Sequence, residues 1–188
     1  MSKEKGHICP VWAGYLLACP LRRIIHSPEK ILSPFVKKGM KVVDIGSGMG
    51  FFTLEIAKMV GPEGRVIAVD LQASMLEVLK RRAEKAGVSD RIETVVSVED
   101  SLRLDRYQSD IDLALLFAVV HEVKDPEGLF QQLYQVIKED GLIVYAEPKG
   151  HVSQESFSSF IKMAESAGFK VERELKVSLS RAVLLKKK

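Results

Sequence analysis

The sequence predicts an α/β three-layer sandwich: a seven-stranded, mostly parallel sheet that ends in a C-terminal antiparallel hairpin. Three observations predict it. From Met40 onward, short β-branched runs alternate with longer amphipathic stretches, the pattern of a parallel sheet with helices on both faces. A glycine-rich segment stands where the first strand gives way to a helix. After the last amphipathic stretch, two strand-like segments follow one another around Ser178 and Ser180, as a closing hairpin would. With 188 residues, 46% of them hydrophobic, the chain can bury one sizeable core and is short for two domains.

Taken in order, Ser27 and Pro28 start a helix expected to run through Lys37. Ser27 can accept from an exposed backbone donor, and Pro28 suits the first helical position. Residues 41–45, 65–69, 91–96, 111–117 and 142–146 read as five strands, and their continuous apolar character means that both faces are covered. Between them, residues 51–60, 73–86 and 126–137 carry apolar side chains at helical spacing, with Gly61, Gly87 and Gly141 where stops or turns belong. Residues 153–167 make a further helix that Gly168 ends, and 169–175 and 181–185 form the hairpin. The expected organisation is one domain over 28–188, preceded by a separate segment, 1–27. That segment is apolar and aromatic, with Trp12 and Tyr15, and reads as a lid over a ligand site or a dimer contact.

Charge and cysteine content narrow the function classes. The 28 basic and 25 acidic residues are mixed along the chain, and the net charge of +3 is matched by the terminal run Lys186 to Lys188, so no clustered nucleic-acid footprint is expected. Cys9 and Cys19 form neither a disulfide framework nor a zinc spacing, which favours a reducing, cytoplasmic compartment. The two cysteines and His7, His26, His121 and His151 are soft ligands without diagnostic spacing, so no metal is expected. The apolar run 8–21 is broken by Pro10 and Pro20 and is too short to span a bilayer.

The chemistry concentrates in Asp44-Ile45-Gly46-Ser47-Gly48-Met49-Gly50, where glycines let the backbone turn sharply and approach a ligand. The spacing is GxGxG, not the GxGxxG that seats a pyrophosphate on a helix N-terminus. Asp44 just before the glycines suits an ammonium group and would repel a pyrophosphate. Asp70 closes the second strand, where a carboxylate can accept both hydroxyls of a ribose.

On these residues, above all VVDIGSGMGFF and VIAVDLQ, the chain resembles the class I, Rossmann-like S-adenosylmethionine-dependent methyltransferases from Pro28 to the C-terminus. The resemblance implies S-adenosylmethionine as cofactor. Asp44 would hold its amino group directly or through water, Gly46, Ser47, Gly48 and Gly50 would line its methionine and ribose, Asp70 would take the ribose hydroxyls, and Leu71 would pack on adenine. The adenine-reading position falls on either Val98 or Glu99. Phe117 and Ala118 would lie against the methionine part. After the fourth strand, His121 matches the first histidine of a two-histidine segment found in many small-molecule members of the family, and Glu122 replaces the second.

Methyl transfer from a sulfonium needs alignment and exclusion of water more than a strong base. If a base is used, His121 is the first candidate, with Glu122 orienting it or binding a cationic acceptor, and His151 at the same edge of the sheet. Glu147 and Lys149 are further acceptor-contact candidates. Each has an ordinary structural alternative, a loop cap or a helix-start acid. The expected activity is methylation of a small-molecule acceptor, without nucleic acid or a stable membrane span. The alternatives are a nicotinamide-dependent oxidoreductase and a regulatory protein that binds S-adenosylmethionine without catalysis. An acceptor cavity lined by the N-terminal segment, His121 and His151 would separate enzyme from regulator.

Overall fold

The computed structural model describes residues 26–188. The expected lid, residues 1–27, therefore lies outside the described residues except for His26 and Ser27, as do Cys9, Cys19, Trp12 and Tyr15.

Helix α1 (Pro28–Leu32) begins as expected, with the Ser27 side chain accepting from Lys30 N. It ends five residues before Lys37. Pro34 has no amide to donate to the turn below, and Phe35 N and Val36 N both close instead on the Leu32 carbonyl. The sheet then builds in alternation: β1 (Lys41–Ile45), α2 (Thr53–Val60), β2 (Arg65–Asp70), α3 (Ala73–Lys85), β3 (Ile92–Val96), β4 (Ile111–Phe117), α4 (Pro126–Val136), β5 (Ile137–Pro148), α5 (Gln154–Ser166), β6 (Phe169–Glu174) and β7 (Ser180–Lys187). Short 3₁₀ turns at Ser89–Arg91, Asp105–Tyr107 and Val120–Glu122 join them.

The seven strands lie in the order β3-β2-β1-β4-β5-β7-β6, with β7 antiparallel to both neighbours and the other pairings parallel, which is the architecture expected. Successive side chains of a strand face opposite layers. Val43, Ile67, Ala114, Leu116 and Tyr145 meet the apolar faces of α4 and α5, while Val42, Val66, Leu113, Leu115 and Val144 meet α1 and α2. Ala68 packs on Leu76 and Leu79 of α3.

One boundary differs in kind. Residue 137 was expected to end a helix, and a strand was expected only from 142. Ile137 instead already pairs with Ile111, and the register slips by three residues before Leu113 meets Leu142. Asp140, at φ 63, carries the bulge into Gly141. Lys187, only 4% exposed, donates its ammonium to the carbonyls of Tyr134 and Ile137, which ties the end of α4 to the sheet.

Candidate functional site

A cleft of about 550 Å³ opens at the carboxyl ends of β1, β2, β3 and β4, where open α/β sheets bind ligands. Its floor is the turn between β1 and α2. Gly46 N and Ser47 N donate to Val69 O at 2.9 and 3.0 Å, so the turn is stitched to the end of β2. Gly46 has φ 70, and a Cβ there would lie 2.6 Å from Cγ2 of Val119, so only glycine fits the crossing of the turn with the loop after β4. At Gly48, φ 53, a Cβ would meet nothing within 4 Å; the open space is that of the cleft it lines. Gly50 departs from expectation, since it does not line the cleft but passes beside Leu79.

The two acids of the motif are held by different means. Asp44 is 3% exposed and accepts from the Thr53 hydroxyl at 2.6 Å, a bond between the end of β1 and the first turn of α2. Sequence reading missed Thr53, although its place three residues beyond the last glycine was visible. Asp70 accepts from Gly48 N at 2.8 Å and Gln72 N at 2.9 Å. Burial pushes its carboxyl above the usual range, and these amides oppose that shift. The Ser47 hydroxyl is buried, lines the same cleft and has no hydrogen-bond partner among the described residues. A buried hydroxyl on a cleft wall can pair with a polar ligand atom.

The remaining walls are divided between aromatic and acidic side chains. Phe51, Phe52 and Phe117 stand together, with ring centroids 5.1 Å apart for Phe51 and Phe52 and 4.5 Å for Phe52 and Phe117. His26 sets its ring edge on Phe117 at 5.2 Å and donates through Nε2 to Ser178 O at 2.8 Å, which joins the start of the described chain to the β6–β7 hairpin. Leu71, Val98 and Glu99 all line the cleft, and Glu99 is paired at the rim with Lys124 at 2.6 Å. Gln132 of α4 holds the loop after β3 by accepting from Leu102 N and donating to Asp100 O. Among the described residues the lining carries Asp44, Asp70, Glu99, Asp100, Glu122 and Asp125 against the single cation Lys124, a field that repels a pyrophosphate and favours a cationic ligand.

The loop after β4 corrects the expectation about the histidines. Ala118 takes φ 58, a left-handed conformation that costs about 1 kcal/mol and swings the chain into the 3₁₀ turn. That swing turns His121 away from the cleft and Glu122 into it. Neither His121 nor His151 lines the cleft, whereas Glu122 does. His121 Nδ1 lies 2.7 Å from Oε2 of Glu147, whose Oε1 accepts from His121 N at 3.3 Å. Glu147 was expected to contact an acceptor, but it is fully buried and serves His121 instead. His151 stands with its ring 6.2 Å from that of His121. Among the described residues no group of three or more His, Cys, Asp or Glu is arranged to hold a metal, and no helix is long and apolar enough to cross a membrane.

Comparison with known proteins adds an independent line. A family model described as a methyltransferase domain matches residues 36–178. The crystal structure of a SAM-dependent methyltransferase from Aquifex aeolicus superposes with a TM-score of 0.85 at 26% identity, covering 95% of this chain and 99% of that one. The ubiquinone/menaquinone biosynthesis C-methyltransferase UbiE of Pasteurella multocida is 29% identical over 112 residues, 60% of this chain and 41% of its own length. The demethylmenaquinone methyltransferase of Lactobacillus johnsonii is 24% identical over 131 residues, 68% of this chain and 53% of its own. The chain spans about half the length of these curated relatives.

Proposed function

The chain belongs to the methyltransferase-domain family, and on that premise we propose that it methylates a small-molecule acceptor bearing a quinol-type aromatic ring. Its cofactor is S-adenosylmethionine. The observation that carries the reading is that the buried Ser47 hydroxyl, without a hydrogen-bond partner among the described residues, lines the same cleft as the carboxylates of Asp44 and Asp70. That set of two acceptor carboxylates and one hydroxyl fits a ligand with an ammonium, a carboxylate and a ribose diol.

In this reading Asp44, oriented by Thr53, holds the ammonium, and Ser47 donates to the carboxylate. Asp70 accepts from the ribose hydroxyls, exchanging them for part of its present backbone bonding. Leu71 packs on the adenine, with Val98 or Glu99 beside its amino group. When bound, S-adenosylmethionine supplies a methyl group already activated on a cationic sulfur. The faces of Phe51, Phe52 and Phe117 attract a cation and exclude water around it. The same rings suit an aromatic acceptor by stacking. The names of the Pasteurella and Lactobacillus relatives point to that class of acceptor.

Calorimetric titration with S-adenosylmethionine and, separately, NADH tests the cofactor. Heat with the sulfonium compound alone supports the reading, and heat with NADH alone overturns it in favour of an oxidoreductase. Transfer of a labelled methyl group to 1,4-naphthohydroquinone then tests the acceptor class.

A further inference from the structure

The mouth of the cleft contains ionisable side chains that cofactor binding leaves unused. Glu147, at the end of β5, is fully buried, and both of its oxygens are committed to His121. Across the imidazole, Nε2 lies 4.0 Å from Oε1 of Glu122. Glu122 is the member of this row that lines the cleft. A buried carboxylate, an imidazole and a wall carboxylate thus stand in line, running outward from the core to the space where an acceptor would sit.

The chemistry of the row follows from burial. A carboxylate without solvent needs a cation, and the bond from Glu147 raises the affinity of His121 for its second proton, with burial of the ring opposing. Glu122 is pushed above the usual carboxylate range, first by burial, then by repulsion from Glu147 and Asp70, while His121 and His151 pull it down. On its own loop, Lys124 is occupied by Glu99. A carboxylate raised by burial and set beside an imidazole is a better proton acceptor than an exposed one.

We propose that Glu122 accepts the proton of a phenolic hydroxyl on the acceptor, and that His121 and Glu147 are its positioning pair. The inference rests on the quinol-type acceptor of the preceding section. In the step, the acceptor's O–H bond breaks, its electron pair stays on the phenolic oxygen, and the proton binds the Glu122 carboxylate. The phenolate then shares its charge with the ring, which raises the nucleophilicity of both oxygen and ring carbons. The His121 imidazolium stands behind the carboxylate and offsets the new negative charge.

The test uses the full chain saturated with S-adenosylhomocysteine, with 4-nitrophenol as the phenolic probe, titrated between about pH 4.5 and 6.5, where the probe keeps its proton. The expected result is binding that weakens as pH falls through the titration of Glu122. Glu122→Gln should bind the probe at least tenfold more weakly and lose the acid-side dependence. His121→Gln should keep binding but move the midpoint of the dependence, which a merely structural role would not do. Unchanged S-adenosylhomocysteine affinity in both variants shows that they fold. Equal 4-nitrophenol affinity in wild type and Glu122→Gln overturns the proposal, as does a loaded chain that binds no 4-nitrophenol. A chain that binds no S-adenosylhomocysteine overturns the cofactor reading itself, and the proposal with it.

Discussion

The two ends of the cleft are built on opposite principles. At the cofactor end, Gly46 to Gly48 are fixed by backbone amides that reach Val69 O and the Asp70 carboxylate, and Asp44 is fixed by Thr53 only nine residues away. At the mouth, His121 and Glu147 are 26 residues apart and meet through a charged pair whose carboxylate has no solvent. The first end has many small, replaceable bonds. The second depends on one pair that is costly to break, because removing either partner leaves a buried charge without compensation. The difference teaches where stability and where ligand affinity reside: a change at the mouth should unfold the chain before it weakens the cofactor, and a change at the glycine turn should do the reverse.

The largest expected effect breaks the mouth. His121→Leu leaves Glu147 buried with only a backbone donor, and should destabilise the chain by about 3 kcal/mol in urea unfolding while S-adenosylmethionine affinity in the folded state stays nearly unchanged. The figure is at the low end for a buried pair because the imidazole retains some solvent. Next, Asp70→Ala should weaken S-adenosylmethionine binding by about 2 kcal/mol, roughly 30-fold, as measured by calorimetry, with a smaller loss of stability. A stability loss larger than the affinity loss would erase the contrast between the two ends. Thr53→Val should cost about 1 kcal/mol in cofactor affinity, because Asp44 loses a buried donor, and Thr53→Ser should restore it.

The smallest effect is that of pH. His121 binds its proton more tightly in the folded chain, so its contribution is fully present below the ordinary histidine value of about 6.5 and is lost as pH rises through the raised folded value. Glu122 and Asp70 are also raised, so the folded chain holds their protons longer and stability falls with rising pH from about 4 upward. All three have the same sign. The thermal midpoint should fall from mildly acidic towards alkaline pH, and the part of that fall above about pH 6.5 should shrink in Glu147→Gln.

Much of the architecture was legible because it depends on local periodicity. The apolar run at 111–117 is β4, and Ser27 caps α1 as expected. The misread boundaries have two causes: Pro34, a local feature, withdrew a donor from α1, and tertiary pairing with Ile111 drew Ile137 out of a helix and into a strand. At the site, Asp44, Gly46, Ser47, Gly48, Asp70, Leu71 and Phe117 all reach the cleft, since each lies at or just beyond the carboxyl end of a strand. Gly50 does not, because the turn has by then rotated toward α3. Glu99 reaches the rim, where Lys124, 25 residues on, engages it.

Sequence alone was enough for the family resemblance, the sheet with its closing hairpin, and the presence of Asp44, Gly46, Gly48 and Asp70 on the cleft, because strand period, turn chemistry and backbone donors act over a few residues. Only the tertiary structure decided which ionisable groups of the mouth line the cleft. The alignment of Phe117 with Ala146 carries His121 and Glu147 together above the sheet, and the left-handed turn at Ala118 sends Glu122 into the cleft. Burial assigns the roles of three neighbouring charges, and burial is a property of the packed chain.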